Sequence, residues 1–125
     1  MKKLLLSLLV STPLPVLACW QVGGPPAQIQ NNAIKARFTY DHKPLANSPV
    51  LLQHNGKKIL ARTRTNRDGQ FAFGNLAPGD YRVTLLNPSY ETFEIVLSPA
   101  AKHKTQLSVN FYADWCRDIS VIPDE

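Results

Sequence analysis

Residues 63–90, TRTNRDGQFAFGNLAPGDYRVTLLNPSY, constrain the fold more than any other part of the chain. They read as three short β-strands joined by two tight turns. Asn66-Arg67-Asp68-Gly69 is dense in turn formers, and Gly69 is free to take a positive φ. Phe71 and Phe73 lie two apart, so on a strand they share a face. Pro78 presets φ for the second turn, and Gly79 after it suits a type II geometry. Tyr81, Val83 and Leu85 then alternate along the next strand.

The same punctuation runs along the rest of the chain. In residues 33–40, Ile34, Ala36, Phe38 and Tyr40 fall on one face, with Lys35, Arg37 and Thr39 on the other. That is the pattern of a half-buried strand. Residues 41–49 (DHKPLANSP) are a loop, and VLLQH at 50–54 is the next strand. Asn55-Gly56 is a strong hairpin signal, returning the chain through KILARTRT at 58–65. Phe93, Ile95 and Leu97 alternate in a later strand, and Leu107, Val109 and Phe111 in the last clear one. Ten prolines and six glycines fit many turns and few helices. Seven strands spaced roughly 8–12 residues apart, with no helical period, predict an all-β, seven-stranded antiparallel β-sandwich of Greek-key type. The expected core is Phe38, Leu52, Phe71, Phe73, Tyr81, Val83, Phe93, Ile95, Leu107 and Val109. The expected organisation is an extended arm over 19–32, the sandwich over 33–111 and a tail over 112–125 with Ile119 and Val121 packed.

Residues 1–18 read as a secretory leader. Lys2 and Lys3 form a basic start, LLLSLLV at 4–10 is a short apolar run, and Val16 and Ala18 suit a cleavage site. The run is shorter than the roughly 20 apolar residues of a spanning helix, and Pro13 and Pro15 follow it. Export to the bacterial periplasm or beyond is the expectation. Cys19 then starts the mature chain and has two readings. Val16-Leu17-Ala18-Cys19 resembles a bacterial lipobox, which would acylate Cys19 and tether the protein to a membrane as a lipoprotein scaffold. Plain cleavage would leave Cys19 to pair with Cys116, the other cysteine of the chain. An oxidising compartment and two cysteines favour the disulfide. Such a bridge closes nearly the whole mature chain and would contribute roughly 4–5 kcal/mol in the chain-entropy picture.

Without its leader the chain keeps 107 residues, enough for one domain. Its net charge falls from +5 to about +3, because Lys2 and Lys3 leave with the leader. That is mild, and an exported protein meets little nucleic acid, so no nucleic-acid partner is expected. The dense basic stretch is Lys57, Lys58, Arg62, Arg64 and Arg67. Lys58, Arg62 and Arg64 share strand parity, which makes them the candidate surface for an anionic protein, glycan or headgroup.

The turn-and-strand motifs resemble the carboxypeptidase regulatory-like domain, a transthyretin-like β-sandwich. Pro44-Leu45-Ala46-Asn47-Ser48-Pro49-Val50 is similar to a family motif after the first strand. Thr65-Asn66-Arg67-Asp68-Gly69-Gln70-Phe71 matches the family turn, with Asn66 in place of the usual Asp. Leu76-Ala77-Pro78-Gly79-Asp80-Tyr81 completes the third element. The resemblance implies a non-catalytic binding or structural module, and its motif residues are turn and core residues. Transthyretin-like 5-hydroxyisourate hydrolases, the enzymatic alternative, end in a Tyr-Arg-Gly-Ser-type motif; this chain ends Val121-Ile122-Pro123-Asp124-Glu125. Collagen-adhesin B-type modules join Lys to Asn with help from a Glu. Lys35 and Asn110 lie on matching strands, but the Glu position falls near Leu85 or Leu86.

The spacing points to no catalytic constellation, cofactor or metal. His42, His54 and His103 fall separately in loops or at strand ends. Asn66, Asp68 and the Gln70 carbonyl would make a weak calcium loop, short of carboxylates. Glu91 and Glu94 are an odd number apart and face opposite sides of a strand. Trp20 and Trp115 each lie beside a cysteine, which suggests packing around the bridge.

Overall fold

A computed structural model describes residues 25–54, 58–113 and 116–124. The expected leader, Cys19, Trp20, the Asn55-Gly56 turn and Trp115 lie outside them. Ten strands form two sheets. In chain order they are β1 (Ala27–Gln30), β2 (Ile34–Tyr40), β3 (Lys43–Pro44), β4 (Pro49–Gln53) and β5 (Ile59–Arg64). Then come β6 (Gln70–Phe73), β7 (Gly79–Leu85), β8 (Glu91–Ser98), β9 (Thr105–Phe111) and β10 (Arg117–Pro123). The first sheet runs β1-β8-β7-β4-β5, and the second runs β10-β9-β2-β3 with β6 also paired to β2. The chain changes sheets after β1, β3, β5, β6 and β8, the crossing pattern of a Greek-key sandwich.

Alternation carries the core. All ten expected core residues are buried, joined by Ile29, Ile34, Ala36, Val50, Leu85, Leu97 and Phe111. The five phenylalanines of the chain all lie in this cluster. Phe38 is its hub, with ring centroids of Phe71, Phe93 and Phe111 at 5.0, 5.5 and 5.6 Å. The contacts with Phe71 and Phe111 are edge-to-face and that with Phe93 is tilted, and such ring pairs add to the burial of the rings.

The family-like motifs hold one another. Thr65 is buried, and its hydroxyl donates to the Leu45 carbonyl (2.5 Å) while accepting from the Ser48 amide (2.8 Å). Its backbone bonds Ser48 and Asn47 as well. The side-chain oxygen of Asn66 accepts from the amides of Asp68 and Gln70, both at 2.9 Å. Asn66 therefore does the work of the usual Asp by closing an Asx-type turn. Gly69 has φ +80°, and its carbonyl accepts from the Phe38 amide at 2.8 Å. The Tyr81 hydroxyl donates back to Ala77 O at 2.6 Å, pinning the turn before β7. Gly79 has φ 153° and opens β7, so the expected type II turn is not formed there.

Three further expectations need correction. There are ten strands where seven were expected, because β1, β3 and β10 fall in segments whose sequence reads as lead-in, loop and tail. The sandwich therefore reaches beyond 33–111 at both ends. Two pairings, β1 with β8 and β2 with β9, are parallel. Alternation reports burial of one face, and is silent on the partner and its direction. Finally, Ile119 and Val121 are not packed. They lie on the edge strand β10 with 38% and 44% of their surface exposed.

Candidate functional site

β5 ends the first sheet, and among the described residues it pairs with β4 alone. Its alternation puts Arg62 and Arg64 on the outward face, both exposed. Lys58 is exposed just ahead of the strand. The β4–β5 register shifts between Leu52 and Gln53, and near that irregularity Leu60 is 45% exposed. Arg62 lies opposite Leu51 of β4, and Arg64 opposite Pro49. The structure thus brings all three candidate cations to one edge, with an apolar residue among them.

Three cations elsewhere in the sandwich are neutralised, while Arg37, Lys43, Arg67, Lys102 and Lys104 carry no such pair among the described residues. Lys35 is paired with Asp124 (3.1 Å), Arg82 with Glu94 (2.7 Å) and Arg117 with Glu91 (3.0 Å). Among the described residues no carboxylate pairs with Lys58, Arg62 or Arg64. Arg64 donates one hydrogen bond, Nη1 to Asn47 O at 3.0 Å, which keeps its positive charge uncompensated.

The other candidates have structural placements. Cys116 is buried where the chain enters β10, and its expected partner Cys19 lies outside the described residues. His42 occupies the β2–β3 turn, edge-on to Tyr112 at 5.9 Å. His54 lies against Tyr81 at 5.2 Å, and His103 is exposed before β9. In the calcium-loop reading, the Gln70 carbonyl accepts from the Asn66 amide and the Asn66 oxygen is held twice, so those oxygens close the turn. Glu94 faces outward to Arg82, while Glu91 turns to Arg117. Lys35 and Asn110 do not meet. Asn110 is level with Thr39 and accepts its hydroxyl at 2.6 Å, four residues along β2 from Lys35.

Sequence reasoning missed two clusters. Arg117 is buried with its guanidinium 4.5 Å from the centroid of Phe93 and its Nη1 on Glu91. The side chain of Asp124, just past the end of β10, is largely covered, accepting from Asn31 Nδ2 at 2.9 Å and from Lys35. No local pattern announces either one, because the partners are 26 and up to 93 residues apart. A polar cleft of about 400 Å³ opens beside Asp124, lined also by Lys35, Asn66, Gln70 and Gln106. Its polar groups are spent on each other or on backbone: Lys35 on Asp124, Asn66 on Gln70, Gln106 on Pro123 O. At the other end of β10 the Tyr112 hydroxyl donates to Asp118 at 2.9 Å, and that hydrogen bond raises its pKa above 10.0.

Burial alone would raise the Asp124 pKa, but hydrogen bonds from Asn31 and Lys35 and the charges of Lys35 and Lys104 outweigh it and hold the carboxyl below 3.8. A carboxyl whose folded pKa is depressed stabilises the fold above its unfolded pKa and loses that contribution as pH falls through the folded value. Unfolding of the native chain should therefore become easier on acidification from about pH 5 downward. Asp124→Asn should flatten that part of the stability curve, and equal acid slopes for both proteins would contradict stabilisation by the Asp124 contacts with Asn31 and Lys35.

With this geometry in hand, comparison with known proteins adds family and fold. A structure of Klebsiella pneumoniae 5-hydroxyisourate hydrolase superposes with a TM-score of 0.52, covering 81% of this chain and 100% of that one at 14% sequence identity. At that identity the likeness shows the transthyretin-like fold alone. No curated protein matches the chain. A family model described as the carboxypeptidase regulatory-like domain matches residues 37–112, which include all three motifs and the basic edge. The chain belongs to the carboxypeptidase regulatory-like domain family.

Proposed function

We propose that this chain is an exported, non-enzymatic β-sandwich module with a binding or structural accessory role in the bacterial envelope, and that its working surface is the basic edge of β5. The leader-like residues 1–18 support export. One observation carries the surface: Arg62 and Arg64 on β5 and Lys58 just ahead of it lie exposed along one sheet edge, and among the described residues none of them has a carboxylate partner. Unpaired charges collected on one edge steer and hold an anionic partner at little cost, because they break no internal ion pair. The hydrolase alternative has the shared fold in its favour, and it would require turnover of 5-hydroxyisourate by the mature chain.

Polyglutamate is a suitable anionic probe. The mature protein should bind it at low salt and release it as salt rises. Arg62→Ala with Arg64→Ala should weaken binding about tenfold, the order that two exposed charge pairs carry. Binding that ignores both salt and the double substitution would remove β5 as the docking face.

Export and the state of Cys19 are checked together by the intact mass of the mature protein from a native-like host. The expected result is a chain starting at Cys19 whose thiols alkylate only after reduction, which fits a soluble module with a Cys19–Cys116 staple. A mass increased by acyl chains, with Cys116 open to alkylation, would place the module on a membrane through Cys19 instead.

A further inference from the structure

We infer that β5 accepts an acidic, extended segment of a partner protein as a sixth strand of the first sheet; this rests on the docking-face reading above. In an antiparallel pair, successive residues point their backbone groups alternately toward and away from the neighbour. Thr65 bonds Ser48 and Asn47 across the β4 side. Counting back by two, Thr63 opposite Val50 and Ala61 opposite Leu52 also spend their N–H and C=O on β4. Arg62 and Arg64 are left with theirs on the edge that no described strand covers. The residues with open backbone groups are therefore the two arginines whose side chains supply the charge.

An incoming strand would lie about 4.8 Å away and meet those two residues in turn, with exposed Leu60 beside them. On the outer face its side chains would neighbour Arg62 and Arg64, where Glu or Asp is favoured. On the inner face they would neighbour half-buried Ala61 and Thr63, where a β-branched residue fits. The recognised segment is thus about six residues of alternating acidic and β-branched character. Charge also decides against a second copy of this chain, since β5 against β5 brings arginine to arginine.

The test uses the mature protein and a capped six-residue peptide of alternating Glu and Val. A second peptide carries N-methyl groups on alternate amides, which keeps its charge and blocks one edge. Titration calorimetry should show binding to the first, at least tenfold weaker binding to the N-methylated peptide, and about a tenfold loss with Arg62→Ala plus Arg64→Ala. Hydrogen exchange should show the Arg62 and Arg64 amides gaining protection on binding, with Ala61 and Thr63 already protected before it. Circular dichroism and the unfolding midpoint confirm that the double variant is folded. Equal binding of both peptides overturns strand addition and leaves the anionic docking face standing. So does binding of polyglutamate or a sulfated polysaccharide without amide protection. Failure of every anionic probe overturns both readings.

Discussion

Gly69→Ala is expected to destabilise the sandwich by about 3–4 kcal/mol, the sum of a left-handed backbone and a collision that cannot relax. Gly69 has φ +80°. A Cβ there would run into the Phe38 carbonyl oxygen and lie 3.2 Å from the Leu45 amide nitrogen. Both are backbone atoms, and they already bond each other, Leu45 N to Phe38 O at 3.0 Å. The Gly69 carbonyl also accepts from the Phe38 amide. Moving either strand to make room would disturb the ring cluster centred on Phe38. A domain of this size has about 5–15 kcal/mol in all, so the variant should lose a large share of its margin. Urea unfolding reads the effect as a lowered midpoint at an unchanged slope. Gly74→Ala is the control, because nothing lies within 4 Å of a Cβ there. A Gly69→Ala shift as small as that of the control would mean the turn pivots freely away from β2.

Arg117→Ala is expected to cost about 3–5 kcal/mol, because it leaves the Glu91 carboxylate without its cation in a largely buried place. The pair is 3.0 Å apart, with side-chain exposures of 9% and 18%. Arg117 also covers the ring of Phe93 at 4.5 Å, so its loss strips apolar surface and a cation–π contact from the end of the core. Its Nε is buried without a hydrogen-bond partner, which already taxes the arrangement. For that reason replacing both partners, Arg117→Met with Glu91→Leu, should recover most of the stability. Thermal or urea unfolding of the two single variants and the double variant forms a cycle. If the double variant is as unstable as Arg117→Ala, the cost lies in packing at Cys116 and β10, and the unpaired charge is not its source.

Most of the sandwich was legible because its determinants are local. Gly69 needs no distant partner to favour a turn, and Phe71, Phe73, Tyr81 and Val83 show their common face by spacing alone. The basic edge was legible for the same reason, since Lys58, Arg62 and Arg64 share strand parity. What parity leaves open is whether nearby acids quench those charges. Arg82 on β7 looks as free in sequence as Arg62 does, yet it finds Glu94 at 2.7 Å on β8. Asp124 looks like a solvated tail residue, yet its side chain is largely covered against Asn31 and Lys35.

β1 and β10 mark the boundary between the two kinds of information. Ala27–Gln30 alternates over only four residues, and most of Arg117–Pro123 is exposed, so neither stands out locally as a core strand. They become strands by completing the ladders of β8 and β9, and a hydrogen-bond ladder is a property of two segments together. The sequence by itself determined the Asn66–Gly69 turn, the buried faces, the family and the clustering of three cations about one strand, because each follows from steric rules acting within a few residues. The tertiary structure alone decided that this strand ends its sheet, that its cations stay unpaired and that Arg117 and Asp124 fasten β10 at its two ends. Those are outcomes of which distant residues come to lie within a few ångströms, and chain order does not encode that distance directly.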